Sequence, residues 1–127
     1  MAAGKVLVAE DNDFVRMQIV KYLVDEGCEI IEAMDGKQAM DAIGTDEVDL
    51  AIVDVRMEPV DGFEFIRRIR SREIETPVIL VTGDNNADLL EQAGKLDVGA
   101  VLIKPVQKDR LVKTVMRTLE VNRKKNG

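Results

Sequence analysis

A parallel α/β sheet with helices on both faces is the fold class this sequence predicts, and three observations carry the prediction. Five short apolar runs recur along the chain, each of strand length and most of them rich in Val and Ile, as strands buried on both faces require. Stretches with helical spacing of apolar residues separate them. Gly, Pro, Asp and Asn punctuate the joints. Strand and helix thus alternate five times across 127 residues, a rhythm that packs as parallel neighbours joined by right-handed crossovers.

In order along the chain, Lys5-Val6-Leu7-Val8-Ala9 reads as the first strand, with Glu10-Asp11 at its end. Asn12 and Asp13 are turn and cap residues. From Phe14 to Glu26 the positions Val15, Ile19, Tyr22 and Leu23 share one helical face, and Gly27 suits the position just past the helix. Cys28 to Ala33 is a second strand, Asp35-Gly36 a turn, and Lys37 to Ile43 a helix that Gly44 closes. The third strand is Leu50 to Val53 with a lone carboxylate, Asp54, at its carboxyl end. Arg56 to Gly62 is a loop, and Phe63 to Arg70 a helix with Phe63, Ile66 and Ile69 inward. Thr76-Pro77 opens the fourth strand, Val78 to Val81, where proline is tolerated at the start. Thr82-Gly83-Asp84 leaves it. Asn86 to Leu96 is the weakest helix, with a stripe of Leu89, Leu90, Ala93 and Leu96 only. Gly99 precedes the fifth strand, Ala100 to Ile103, which Lys104-Pro105 ends. The last helix runs from about Lys108 to Asn122 on Leu111, Val115 and Leu119. The chain reads as one domain over residues 1–127, with an ordered core over about 5–122 and residues 123–127 as a basic tail or the start of a linker.

A chain of this length buries roughly two thirds of its unfolded surface and needs no covalent staples. The net charge of −6 argues against direct nucleic-acid binding, and Arg123-Lys124-Lys125 is too short to be a basic patch. The single cysteine, Cys28, cannot form an internal disulfide and fits a reducing, cytoplasmic setting. No apolar run has the length of a membrane span, and no signal-peptide pattern stands at the start. With no histidine in the chain, Ser-His-Asp and Cys-His chemistry are excluded and a zinc site is disfavoured.

Parallel strands share one carboxyl edge, where open α/β sheets bind ligands. The first strand delivers Glu10 and Asp11 to that edge, the third Asp54, the fourth Thr82 and the fifth Lys104. Each has a plain structural use as well. Glu10 and Asp11 suit a helix cap, Asp54 and Thr82 a turn, and Lys104 the surface. Together they suggest more. Three carboxylates in one crevice need a proton or a cation between them. Hard oxygen donors suit Mg²⁺, which favours carboxylates together with phosphate oxygens. A hydroxyl and an ammonium beside such an ion suit phosphoryl transfer onto an aspartate.

The chain resembles the receiver domains of two-component response regulators, in the superfamily of the single-domain chemotaxis receivers, over nearly its full length. The matching pieces are Val6-Leu7-Val8-Ala9-Glu10-Asp11-Asn12, Arg16, the Asp54 strand, Met57-Glu58-Pro59-Val60-Asp61-Gly62, Val81-Thr82-Gly83, Gly99-Ala100 and Lys104-Pro105. The resemblance implies a flavodoxin-like fold with strand order 2-1-3-4-5. It implies Asp54 as phosphoacceptor, and Mg²⁺ held by Asp11, Asp54, the backbone carbonyl of Arg56 and, through water, Glu10. Thr82 would bond the phosphoryl group and shift with it, Lys104 would pair with a phosphoryl oxygen, and a cis Lys104–Pro105 bond is in keeping with the family. The chain departs from the family pattern at Glu10, where aspartate is common, at Gly83, often alanine, and at Val101, usually Tyr or Phe. The aromatic rotamer switch of the family is therefore absent at Val101.

The resemblance implies a signalling switch, enzymatic only in its own phosphorylation and dephosphorylation. The donor would be a histidine kinase or a histidine phosphotransfer protein. The output would be a downstream protein target or an effector domain outside this chain. A pseudo-receiver, an interaction module that is never phosphorylated, is the alternative. A haloacid-dehalogenase-type phosphatase would want an aspartate where Arg56 stands, and a flavodoxin a Ser/Thr/Gly-rich phosphate loop where Glu10-Asp11-Asn12 stands.

Overall fold

Side chains that alternate along a strand face opposite sides of the sheet, and in this chain both sides are apolar. In the computed structural model, which describes residues 3–45, 47–84 and 86–126, β1 (Lys5–Ala9), β2 (Glu29–Ala33), β3 (Leu50–Asp54), β4 (Val78–Thr82) and β5 (Ala100–Ile103) form one parallel sheet in the order β2-β1-β3-β4-β5. Val6, Val8, Leu50, Ile52, Ile79 and Val81 face one layer, with Ile19 and Leu23 of α1 (Asp13–Val24) and Leu111, Val115 and Leu119 of α5 (Lys108–Asn126). Leu7, Ala9, Ala51, Val53, Val78 and Leu80 face the other, covered by α2 (Gly36–Thr45), α3 (Gly62–Ser71) and α4 (Ala87–Lys95). The three central strands are buried almost throughout. Each fully buried aliphatic side chain there contributes about 1.5–3 kcal/mol.

Most helices start on a side-chain cap. Asn12 accepts from Val15 N–H at 3.0 Å, Asp61 from Glu64 N–H at 2.8 Å and Asn86 from Leu89 N–H at 2.8 Å. Gly27, at φ +87°, turns the chain after α1. Both Glu58–Pro59 and Lys104–Pro105 are cis. Among the described residues no helix is long and apolar enough to cross a membrane.

Several boundaries differ from the sequence reading, most by a residue or two, such as the end of α1 at Val24 instead of Glu26. Asp13 is the first residue of α1, and Asn12 alone is its cap. Gly44 lies inside α2, which continues to Thr45, whose hydroxyl donates to Asp41 O at 3.0 Å. The last helix, expected to end near Asn122, continues as α5 to Asn126, and the Arg123 guanidinium donates to Ala3 O at 3.0 Å. Gly127 lies outside the described residues.

Register brings the site together. Ala9 pairs with Val53, Asp54 with Val81, and Thr82 with Ile103, so Glu10, Asp54, Thr82 and Lys104 all reach the same edge. The start of α3 packs directly on that edge. A Cβ on Gly62 would stand 2.7 Å from Asp54 O and 2.9 Å from Val55 Cα, which only glycine avoids. Gly62→Ala is expected to cost about 1–3 kcal/mol in urea unfolding, by overpacking. Gly44→Ala, with open space around it, is expected to gain up to about 1 kcal/mol from helix propensity. Equal midpoints for Gly62→Ala and the parent would show that the α3 start yields freely.

Candidate functional site

The edge holds an uneven balance of charge. Glu10 and Asp54 are 2% and 5% exposed, and one carboxylate oxygen from each of Glu10, Asp11 and Asp54 lies within 4.8 Å of the others. One cation answers them: Lys104 Nζ stands 2.6 Å from Glu10 Oε1 and 3.3 Å from Asp54 Oδ2. Burial raises the Glu10 carboxyl from its ordinary 4.5 to about 7, and the neighbouring Asp54 carboxylate adds to the rise against the pull of Lys104. Burial alone would lower the Lys104 ammonium, but its bond to Glu10 and the charge of Asp54 outweigh this and raise it.

Glu10 Oε2 is buried without a hydrogen-bond partner. Such an oxygen is costly to leave unsatisfied, and it sits in a cluster of hard donors with an excess of negative charge. Asp11, by contrast, is exposed, so the cluster is open on one side. These residues fit a Mg²⁺ ion, which keeps several waters and takes few carboxylates.

Arg56 stands between two cavities. One, about 450 Å³, is lined by Asp54, Arg56, Gly83, Asp84 and Lys104, and the other, about 580 Å³, by Asp11, Arg56, Met57, Glu58 and their neighbours. Its N–H approaches Asp54 Oδ1 at 3.4 Å, and its guanidinium pairs with Asp84 at 3.4 Å across the mouth of the first cavity. Thr82 is 1% exposed, and its hydroxyl bonds the loop: it accepts from Asp84 N–H at 3.0 Å and donates to Asp84 O at 3.2 Å. Asp84 also accepts from Asn86 N–H and Nδ2 at 3.1 and 2.8 Å. Asn85 lies outside the described residues. Val101 is half-buried in β5 opposite Leu80, against the cluster that holds Leu89 and Ala93 of α4.

This arrangement has relatives. The response regulator receiver domain family matches residues 6–116. The chain belongs to that family. It is 35% identical to the transcriptional regulatory protein PdtaR of Mycobacterium tuberculosis over 87% of this chain and 54% of that protein. It is 27% identical to the chemotaxis protein CheY of Bacillus subtilis over 92% of this chain and 98% of that protein. The receiver domain of the Francisella response regulator 1452 superposes with a TM-score of 0.88 at 28% identity, covering 92% of this chain and 97% of that one. The chain spans about half the length of PdtaR (54%). The flavodoxin-like order 2-1-3-4-5 expected from the sequence is the one observed, and the receiver family acts as a signalling switch in two-component systems.

In this receiver domain the structure brings Glu10, Asp11, Asp54 and Lys104 together, with the Arg56 N–H beside Asp54. Two residues had no site role assigned from the sequence: Asp84, which read only as part of the turn leaving the fourth strand, and Arg16, a matching piece of the family resemblance, treated below.

The raised Glu10 carboxyl has a consequence for stability. A carboxyl whose folded pKa exceeds its unfolded value holds its proton more tightly when folded, so its contribution is complete below about pH 4.5 and is lost as pH rises to about 7. In metal-free urea unfolding, the wild type is expected to lose about 2–3 kcal/mol relative to Glu10→Gln between pH 4.5 and pH 8. A difference between the two proteins that does not change with pH would mean that Glu10 is ionised throughout.

Proposed function

We propose that this receiver domain accepts a phosphoryl group on Asp54, with Mg²⁺, and that the change at the site alters its binding to a protein partner. The observation that carries the reading is the Asp54 carboxylate itself, buried at the sheet edge with two further acids within 4.8 Å and one ammonium at 3.3 Å. Asp11, Asp54, Glu10 and the carbonyl of Arg56 would hold the ion, which supplies neutralisation of the phosphoryl oxygens.

An Asp54 oxygen attacks phosphorus, the P–N bond of a phosphohistidine donor breaks, and its electron pair returns to the donor imidazole. With no histidine in these 127 residues, the donor histidine lies outside them, on a histidine kinase or a histidine phosphotransfer protein. Lys104 moves from its carboxylate partners to a phosphoryl oxygen, a charge-assisted bond. Hydrolysis by water later cleaves the P–O bond and restores Asp54. The recipient of the signal is a downstream protein or an effector domain, and the setting is cytoplasmic.

For output, Thr82 is the moving part. Bonding the phosphoryl group takes the Thr82 O–H from Asp84 O, and Asp84 is also the partner of Arg56 and of Asn86, the α4 cap. A short chain of bonds therefore runs from the site to α4. That helix has only nine residues and buries only Leu89 and Ala93, so it opens more easily than the rest. Val101 has few rotamers and no hydroxyl, and no aromatic flip is needed.

Acetyl phosphate with Mg²⁺ is expected to add one phosphoryl group by intact mass, and Asp54→Asn to abolish it. Unchanged modification of the variant would place the acceptor elsewhere, and no modification of either protein would favour an unphosphorylated interaction module. Amide exchange with beryllofluoride is expected to change most between Thr82 and Leu96. A change confined to β5 and α5 would defeat the α4 route.

A further inference from the structure

Among the described residues four polar or charged side chains are buried: Glu10, Asp54, Thr82 and Arg16. Three belong to the candidate site, and Arg16 is the fourth. It lies in the second turn of α1, a helix whose other polar side chains are exposed or half-buried. A buried guanidinium is costly unless every direction of its fork is answered, and here it is. Nη1 donates to Glu10 O at 2.7 Å, Nη2 to Asp13 Oδ1 at 2.6 Å, and Nε to Glu32 Oε1 at 3.2 Å.

The contact with Glu10 O reaches the site. That carbonyl belongs to the planar peptide that joins Glu10 to Asp11, so holding it sets the direction of both acids at once. The other side of Glu10 is held as well, since its N–H donates to Ala33 O at 3.1 Å. Glu32, one residue before Ala33, anchors the guanidinium from β2, and Asp13 anchors it from α1. The acids of the site are thus mounted on a backbone gripped from β2 and from α1.

We propose that Arg16 is a positioning residue for the metal site, acting through the Glu10–Asp11 peptide. The role rests on the reading of Glu10, Asp11 and Asp54 as a Mg²⁺ site. A lysine at position 16 keeps the charge and the apolar stem, but a single ammonium on a flexible stem does not reproduce the planar fork that holds Glu10 O, Asp13 and Glu32 together. Supports behind metal ligands commonly account for 10- to 100-fold in affinity.

The test is calorimetric titration of the full chain with MgCl₂, on the wild type, Arg16→Lys, Arg16→Met and Ile19→Ala. Ile19, 1% exposed on the same helix, reports the effect of destabilisation alone. Arg16→Lys and Arg16→Met are expected to weaken Mg²⁺ at least about tenfold while the circular dichroism of the folded protein is retained. Ile19→Ala is expected to lower the melting temperature and leave Mg²⁺ affinity as it was. If Arg16→Met does not fold, Arg16→Lys decides. Wild-type affinity in folded Arg16→Lys would overturn the positioning role while the metal site stands. Absence of Mg²⁺ binding by the wild type would overturn the site reading and the positioning role with it.

Discussion

Three carboxylates converge on one edge of the sheet and, among the described residues, a single ammonium faces them, and the surrounding structure is arranged to tolerate this imbalance. Like charges about 4 Å apart repel by roughly 4 kcal/mol at an effective dielectric near 20. Lys104 offsets part of that by touching both Glu10 and Asp54. The remainder appears as the raised Glu10 carboxyl and the orphan Oε2. A site in this condition holds a proton, or takes a cation, and responds strongly to a new anionic group.

The imbalance persists because the backbone beneath it is not free to relax. β1 and β3 are central strands with their side chains buried on both faces. The loop after β3 is pinned where Gly62 N–H donates to Val55 O at 2.9 Å, and the start of α3 presses on Asp54 O with no room for a Cβ. Glu10 is held by β2 on one side and by Arg16 on the other. Charge repulsion is borne by closely packed, rigid elements, which is the usual condition for a preorganised site.

The exit from the site is built differently. From Thr82 to the α4 cap the connections are exposed or half-buried polar bonds centred on Asp84, and α4 brings only Leu89 and Ala93 into the core. Surface ion pairs such as Arg56–Asp84 contribute little. A stiff charge cluster joined to a lightly held helix is a workable division of labour for a switch, since rearrangement is cheapest where burial is least.

Much of this was determined by the sequence itself. Short continuous apolar runs placed the strands within a residue or two, because strands buried on both faces are apolar on both. Glu10, Asp54 and Lys104 stood out as a set, because the carboxyl ends of parallel strands share one edge. What the sequence left open was set by distant partners. Arg16 matched the family pattern, but what its burial serves depends on partners from other elements, Glu32 on a strand sixteen residues away and the Glu10 carbonyl. The Thr82 hydroxyl could serve the site or the loop, and the turn to Asp84 decided for the loop. The apolar stripe of α5 ends at Leu119, yet the helix runs on to Asn126, with Arg123 meeting Ala3 at the other end of the chain. Local periodicity encodes which residues are apolar-inward. The burial of a polar group depends on what the fold brings to it from elsewhere in the chain.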